Sequence, residues 1–393
     1  MNKKIINLTF GKKITVVIFV ALVTVIFAEG IARLASQGPR WLNPHYVEVS
    51  SGFPDLEALI NDAQHNHPGP KYYDEFLYAA APYSSTHLNY TEYYSARLTP
   101  DSAPLGEAEY ILWTFGGSTM ENSETTDSLT LANTWAKIFN SAAGPTHVKN
   151  FGTGGFLSSY ELIKFQKLLR EVPDEELPNL VIFYDGFNDA LFGFQYGPGS
   201  MQIDLALKLQ ALVENDDLNI GIYSLSRWLS EKSALWTRTG ARVVSYLLFP
   251  FPEPDTSEAV LTDTVQIYLS NVRLTQAICK EYEIRCFFVL QPLIVTKVPL
   301  TPLEQTVLDE LEGHPRFGKD GSEFIREFYI RIDGELSRAD HFINAGNVLD
   351  GRDKPDFYDL GHVGVYSPPV IAEAVANIIL ERLGFVTSET SGN

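Results

Sequence analysis

The sequence predicts a three-layer α/β/α fold, in which a five-stranded parallel sheet carries helices on both faces. Five short apolar runs, each ended by turn-forming residues, are separated by longer stretches whose apolar residues recur at helical spacing. Strands that alternate with helices favour a parallel sheet. The chain has 393 residues, 45 % of them hydrophobic, which is enough to bury a large core and argues against a disordered chain.

The elements follow from these patterns in chain order. The run YILWTF at 110–115 ends in Gly-Gly, and the stretch 129–144 after it has helical periodicity with Gly144 as a stop. The second unit is a strand that starts at His147 and a helix over 158–172. The later strands lie in LPNLVIFYDGFND, RCFFVLQP and HFINAGNVLD, and the later helices are predicted at 257–282, 302–312, 322–338 and 367–384, the last with Gly384 as its C-cap.

The N-terminus predicts attachment to a membrane. Four lysines precede an apolar run, so we expect residues 1–13 to stay in the cytoplasm and residues 14–35 to form a single transmembrane signal anchor. A cleaved signal peptide is the alternative, since the uninterrupted apolar core is short. The expected organisation continues with a stalk and irregular lead-in at 36–107, a catalytic domain at 108–384 with an insertion at 190–258, and a flexible tail at 385–393.

Charge and cysteine content restrict the partners and the class of protein. The net charge is −19 and no basic cluster follows the N-terminus, so we expect no nucleic-acid partner. The two cysteines, Cys279 and Cys286, exclude a disulfide scaffold and a cysteine-based zinc site. A single bridge between them is an open alternative to two free thiols.

Polar residues and glycines with catalytic potential follow the ends of the predicted strands. Ser118 follows the first strand, Gly155 the second and Asn188 the third, and the block DLGH, with Asp359 and His362, follows the fifth. In a parallel sheet these ends lie at one edge, where ligands bind. Acyl transfer needs a nucleophile, a base, a carboxylate that orients the base, and donors for the oxyanion, and each has a candidate here.

The chain resembles the SGNH hydrolases, the GDSL-like lipase and esterase superfamily. The four blocks that carry the resemblance are, in order, FGGST, NFGTGGFLSS, YDGFND and DLGH, and they span roughly 108–384. The first block looks like the Gly-Gly-Ser-Thr variant of membrane-anchored bacterial members. The resemblance implies a flavodoxin-like arrangement of the sheet and an ester-cleaving enzyme that needs no cofactor or metal.

The resemblance also assigns roles to individual residues. It implies that Ser118 is the nucleophile, His362 the base and Asp359 the carboxylate that orients it. The oxyanion hole would consist of the backbone N–H groups of Ser118 and Gly155 and the side chain of Asn188. Two departures stand out: Gly117 replaces the aspartate that usually precedes the serine, and VGVYSPP after His362 lacks the usual Gly-Asn of the following turn.

Three alternatives compete with these assignments. His314, after the fourth unit, is the rival base, whereas His147 and His341 begin strands and belong at the opposite edge of the sheet. Asp185 and Asp189 could form the carboxylate pair of a glycosidase, although residues four apart across a turn are more often turn formers and caps. His65 and His67 resemble a metal pair without a third ligand.

The sequence therefore predicts an extracytoplasmic serine esterase, anchored to the cell membrane, that acts on an O-acyl ester, preferably O-acetyl, of a glycan, a lipid or a small molecule. An O-acyltransferase of cell-envelope or exported polysaccharide, with or without a membrane-bound partner in acyl transfer, uses the same residues and is the first alternative. A catalytically idle relative that binds glycans or assists assembly is the second. The intact set of catalytic residues argues against the idle protein.

Overall fold

A computed structural model describes residues 24–32, 43–63, 70–73, 78–80, 82–91, 96–199, 217–241, 243–244 and 253–385. The chain divides into two compact units, Met1–Arg40 with Ile203–Phe251 and Trp41–Gln202 with Pro252–Asn393. In the smaller unit the described residues form helices at 24–32, Asp217–Lys232 and Ala234–Arg238. There the Glu29 carboxylate accepts hydrogen bonds from Ser233 Oγ at 2.7 Å and Leu235 N at 3.0 Å.

Several predicted segments lie wholly or mostly outside the described residues. They are the cytoplasmic segment 1–13, most of the anchor 14–35, the histidines 65 and 67, and the tail after Phe385. None of the helices formed by the described residues combines the length and the apolar character needed to cross a membrane.

The larger unit contains the predicted five-stranded parallel sheet. Its strands are β1 (Tyr110–Gly116), β2 (Thr146–Asn150), β3 (Leu180–Asp185), β4 (Arg285–Leu290) and β5 (Phe342–Asn344). They pair in parallel in the order β2-β1-β3-β4-β5, which confirms the predicted sheet and its flavodoxin-like arrangement. The direction of strand addition reverses between β1 and β3, the position at which such sheets bind ligands.

Helices cover both faces of this sheet. They are α1 (Pro44–Val49), α2 (Leu56–Asn61), α3 (Ser118–Glu121), α4 (Leu131–Ala142), α5 (Ser158–Glu171), α6 (Phe187–Tyr196), α7 (Glu258–Glu281), α8 (Pro302–Glu312), α9 (Gly318–Leu336) and α10 (Ser367–Leu383). Helices α4 and α10 pack on each other, while α5, α6, α7 and α9 form a second group. Every residue of β3 is buried, so the two groups occupy opposite faces.

Local sequence explains where these helices begin and end. The Thr130 side chain caps α4 by accepting a hydrogen bond from Asn133 N, and Ser257 caps α7 in the same way. Thr301 and Glu304 form a capping box on α8, which spans the predicted 302–312. Gly384 ends α10 with φ of 84°, a conformation that glycine adopts without steric cost.

Two segments contain more regular structure than the sequence indicated. The lead-in contains α1 and α2, whose residues Tyr46, Val49 and Leu59 are buried against Tyr358 and Val365. These partners are about 300 residues away in the sequence, so local periodicity could not reveal the contact. Helix α6 runs across the predicted start of the insertion at residue 190 and continues to Tyr196.

Cys279 and Cys286 form a disulfide bond, which decides the alternative that the sequence left open. The bond links α7 to β4 across a separation of seven residues, and both cysteines are buried. It therefore fixes the end of the helix against the strand that follows it.

A buried ion-pair network fixes the loop between β5 and α10, whose residues 356–366 we call the histidine loop. Lys297 Nζ lies 2.7 Å from Glu304 Oε1 and 2.9 Å from Asp356 Oδ2. Glu304 Oε1 also accepts hydrogen bonds from the backbone N–H groups of Asp356 and Phe357. The side chains of all three charged residues are almost completely buried. The start of the histidine loop is thus attached to α8 and to the segment after β4.

Candidate active site

Ser118 is the first residue of α3 and directly follows the end of β1. The two preceding glycines are required by close contacts. A Cβ atom on Gly116 would lie 2.4 Å from Tyr184 O, and one on Gly117 would lie 2.3 Å from Asn188 Nδ2. The chain at residue 117 therefore has no space for a side chain while Asn188 keeps its position, which explains why glycine stands there.

The structure brings Ser118, His362 and Asp359 together in one hydrogen-bonded series. Ser118 Oγ lies 2.6 Å from His362 Nε2, and His362 Nδ1 lies 2.8 Å from Asp359 Oδ2. Asp359 Oδ1 accepts hydrogen bonds from the backbone N–H groups of Gly361 at 2.9 Å and His362 at 2.7 Å. The carboxylate therefore fixes both the imidazole and the backbone that carries it.

The charges around His362 favour its protonated form. Burial acts to lower the pKa of His362, but the charge and hydrogen bond of Asp359, together with the charges of Glu124 and Glu121, outweigh burial and raise the pKa to about 9. Burial acts to raise the pKa of Asp359, yet the charge and hydrogen bonds of His362 hold it below its ordinary value. The positive imidazole that forms when a base accepts a proton is thus stabilised at this position.

Two aromatic rings limit the movement of the imidazole. The Tyr358 ring stacks on His362 with centroids 5.9 Å apart and an interplanar angle of 21°. Phe187 meets the same imidazole edge-on, with centroids 6.0 Å apart and an angle of 86°. Both aromatic residues are buried. Contacts from two directions hold the ring in the plane in which it reaches Ser118.

The three predicted oxyanion donors are Ser118, Gly155 and Asn188. All three border one cleft together with His362. The Asn188 side chain donates one N–H to Phe156 O at 2.7 Å, and a primary amide has a second N–H to offer. Gly155 has φ of 77°, which turns the backbone in a way that other residues rarely adopt. Among the described residues, no hydrogen bond uses the N–H group of Ser118 or Gly155. These groups are available to an anionic oxygen.

The rival base His314 lines the same cleft, but it has another hydrogen-bond partner. Its Nδ1 accepts a hydrogen bond from Arg316 N at 3.3 Å, whereas Ser118 Oγ lies against His362. His147 lies near the start of β2 and His341 directly precedes β5, as predicted, at the opposite edge of the sheet. The geometry thus favours His362 over the other histidines that the structure describes.

Asp185 and Asp189 lie in the protein interior and do not border the cleft. Asp185 accepts a hydrogen bond from Tyr268 OH at 2.6 Å, and Asp189 accepts one from Ser158 N at 3.0 Å at the start of α5. Burial, reinforced by Asp189, raises the pKa of Asp185 to about 7, and burial raises that of Asp189 to about 6. The two carboxyl groups are structural, so the arrangement does not support the glycosidase alternative. Within the described part of the chain, no three His, Cys, Asp or Glu residues form a metal site.

The cleft next to Ser118 has a volume of about 660 Å³. Its walls are mainly apolar side chains of α6, α8 and the segment before α9, namely Leu191, Phe192, Val307, Leu311 and Phe317. Helix α6 leads away from Asn188, so Gln195 lies about 10 Å further along its axis. The cleft therefore has an apolar wall formed by helix residues, and the polar Gln195 lies further along α6.

Sequence reasoning missed several residues at this cleft. His45 Nε2 lies 2.9 Å from Glu310 Oε2, and the two residues line the cleft together with Asn43. No motif distinguishes them, because His45 and Asn43 come from the lead-in and meet α8 only in the folded chain. Tyr358 could have been noticed, since it directly precedes Asp359 in the fourth block.

Comparison with known proteins gives a likeness of fold only. No family model matches the sequence, and no curated protein does. A member of the lipolytic protein G-D-S-L family from Veillonella parvula is similar over 69 % of this chain and 97 % of its own, with 9 % identity and a TM-score of 0.35. The psychrotrophic esterase EstA from Pseudoalteromonas sp. is similar over 70 % of this chain and 100 % of its own, with 12 % identity and a TM-score of 0.35. Similarity at this level carries no argument about activity, which must come from the site itself.

The environment of His362 leads to a prediction about its titration. In the wild-type protein the imidazole of His362 should titrate well above 6.5, near 9, and Asp359→Asn should lower that pKa because it removes the nearest negative charge. His147 and His341 serve as internal controls, because burial lowers the pKa of each. Histidine NMR titration measures all three. A His362 pKa that does not fall in Asp359→Asn would contradict the assigned partner.

Proposed function

We propose that the chain is a serine carboxylic ester hydrolase of the SGNH type. The observation that carries the proposal is the hydrogen-bonded series Ser118–His362–Asp359 at a cleft that also contains Gly155 and Asn188. This is the arrangement that acyl transfer to a serine requires. A catalytically idle binding protein is less favoured, because such a protein has no need of a serine held 2.6 Å from an imidazole.

The geometry supports a two-step reaction. His362 Nε2 accepts the Ser118 proton as Oγ attacks the ester carbonyl, and Asp359 stabilises the imidazolium that results. The N–H groups of Ser118 and Gly155 and the Asn188 amide donate to the oxyanion. His362 then returns the proton to the leaving alcohol. Water, activated by the same histidine, hydrolyses the acyl-enzyme and regenerates Ser118.

Substitutions at the site should have different effects according to role. Ser118→Ala and His362→Ala should each remove nearly all turnover of an aryl acetate. Ser118→Ala should also remove all labelling by a fluorophosphonate. Asn188→Ala should lower kcat by on the order of 10²- to 10³-fold, since one oxyanion donor is lost. Asp359→Asn should leave residual activity because the base is still present.

Ser128→Ala is the matched control for these measurements, because Ser128 is an exposed serine that bonds only its neighbourhood in the chain. It should retain full labelling and turnover. Labelling that persists in Ser118→Ala, or a wild-type protein that is never labelled, would rule out the proposed nucleophile. Circular dichroism checks that each variant is folded.

The shape of the cleft supports an ester with an apolar group next to the carbonyl. Leu191 and Phe192 follow Asn188 by less than one and a half turns of α6, and Leu311 lines the cleft from α8. Each methylene buried there contributes about 0.8 kcal/mol, which corresponds to about four-fold in kcat/KM. We therefore propose an O-acyl ester of a lipid or glycan as the substrate, with an acyl group longer than the acetyl that the sequence alone favoured.

A series of p-nitrophenyl esters tests this substrate class. The wild-type protein should prefer the butyrate and octanoate to the acetate. Leu311→Glu should reduce that preference by ten-fold or more, since a charge would be buried against the acyl chain of the substrate. Turnover of the acetate should change much less. Ile330→Glu, at an exposed isoleucine of α9 outside the cleft, is the matched control. Equal loss on all three esters in Leu311→Glu would contradict an acyl-binding wall.

Acyl transfer is the second candidate function. The cleft also contains the polar groups of His45, Glu310 and Gln195, which are suited to bind an acceptor hydroxyl. If a sugar or lipid hydroxyl takes the place of water, the acyl-enzyme forms a new ester by the same proton transfers. Product analysis in the presence of an added polyol distinguishes a new ester from free acid.

We propose that the catalytic unit acts outside the cytoplasm, attached to the cell membrane through the N-terminus. The lysines before the apolar run and the Cys279–Cys286 disulfide support this location, because disulfides persist in oxidising compartments. A reporter that is active only after export, fused behind Asn393, should be active. If a reporter that works only in the cytoplasm is active at the same position, the proposed orientation is wrong.

A further inference from the structure

The segment that precedes the α/β unit in the sequence packs directly on the histidine loop. We call residues 43–61, which include α1 and α2, the N-terminal clamp. Asn43 Nδ2 donates to Tyr358 O at 2.7 Å, and Ser50 Oγ accepts from Val365 N at 3.3 Å. The clamp therefore contacts the histidine loop on both sides of His362 in the sequence.

The packing between the clamp and the loop is close enough to restrict both. A Cβ atom on Gly364 would lie 2.4 Å from Val49 Cγ1, so the two backbones can approach only because residue 364 is glycine. Val49, Leu59 and Val365 are buried in the same apolar cluster. Removal of the clamp would expose this cluster and release the second half of the loop.

Tyr46 connects the clamp to the catalytic histidine by two routes. Its ring packs edge-on against Tyr358, with centroids 5.1 Å apart, and Tyr358 in turn stacks on His362. Its hydroxyl donates to the backbone carbonyl of Glu124, which lines the same small cavity as His362 and whose charge raises the pKa of His362. Tyr46 itself is only 6 % exposed, so it is held firmly at this position.

We propose that the N-terminal clamp is a positioning element for the proposed base, in which Tyr46 holds His362 against Ser118 through the Tyr358 ring and the Glu124 carbonyl. The histidine loop contains no helix and no strand, and its only sheet-like contact is the bridge between Phe357 and Val363. Such a loop needs support from other elements to keep a reacting atom in place. The ion-pair network supplies this support at residue 356, and the clamp supplies it at residues 358–365.

The proposal predicts a loss of rate without a loss of binding. In the full chain, Tyr46→Leu should lower kcat on an aryl acetate by on the order of ten- to a hundred-fold, because displacement of a catalytic group by a fraction of an ångström has effects of this size. KM should change by less than about two-fold, since Tyr46 does not line the cleft. Tyr46→Phe keeps the ring contact and removes only the hydroxyl, so its loss of kcat should be smaller.

The pH dependence gives a readout that a merely structural role would not change. Only the neutral imidazole accepts the serine proton, so the rate should rise with pH through the pKa of His362. Three carboxylates influence the pKa of His362. They are Asp359 on its own loop, Glu121 at the end of α3 and Glu124 in the turn after α3. Both Tyr46 variants should shift the profile to lower pH, because Glu124 is no longer held near the imidazole. NMR titration of His362 should show the same shift.

Tyr110→Leu is the matched control, because it removes a similar edge-on contact, with Phe385 at 5.9 Å, from the far end of β1. It should leave both kcat and the pH profile unchanged. An unchanged kcat and pH profile in both Tyr46 variants would overturn the proposal, and if Tyr46→Leu does not fold, the titration of His362 in Tyr46→Phe decides. The proposal rests on the proposed function only for the kinetic readout: a wild-type protein without turnover would refute that function, while the NMR titration would still test the clamp.

Discussion

Two buried carboxylates, Glu304 and Asp356, share the single ammonium group of Lys297, and the site depends on this interaction. The three side chains are almost completely buried. Removal of one member of such a pair typically costs about 3–5 kcal/mol of stability because the remaining charge stays buried. The three residues belong to three separate segments of the chain. The attraction of both carboxylates to Lys297 therefore helps to fix where the histidine loop begins, and Arg352 Nε adds a second cation 3.0 Å from Asp356 Oδ1.

At the opposite side of the site, the constraint is close contact instead of charge. Gly117 lies against the Asn188 amide, and the same amide is bonded to Phe156 O. One side chain thus joins the ends of β1, β2 and β3 while it remains able to donate to a ligand. The proposed nucleophile and oxyanion donors follow the strands of the sheet, whereas the proposed base is held by contacts with neighbouring segments.

The sequence predicted the sheet, its flavodoxin-like character and the residues at the strand ends because those features are local. Apolar runs of strand length, apolar residues at helical spacing and four short blocks can all be recognised from neighbouring residues. The roles of Ser118, Gly155, Asn188, Asp359 and His362 stay predictions, although the structure places all five at one cleft.

What the sequence could not predict depends on contacts between distant segments. Asn43 meets Tyr358 across 315 residues, and His45 meets Glu310 across 265, and neither pair has a periodicity or a motif that marks it. The disulfide was undecided for a different reason, since a spacing of seven residues permits a bridge but does not require one. Helix α6 was missed because it begins within a turn-like sequence, Asp-Gly-Phe-Asn, in which Gly186 directly precedes the helix with φ of 96°.

Ser118 and His362 are 244 residues apart in the chain although their side chains touch. A growing polypeptide therefore contains the serine long before the histidine has been synthesised, and even a finished chain gains the pair only when its last strand and the loop behind it have docked. Closing a loop of this length costs conformational entropy, which is offset only when the core around the two residues has formed. The Ser118–His362 contact is thus a property of the completed tertiary structure, and no fragment of the chain that ends before residue 362 contains it.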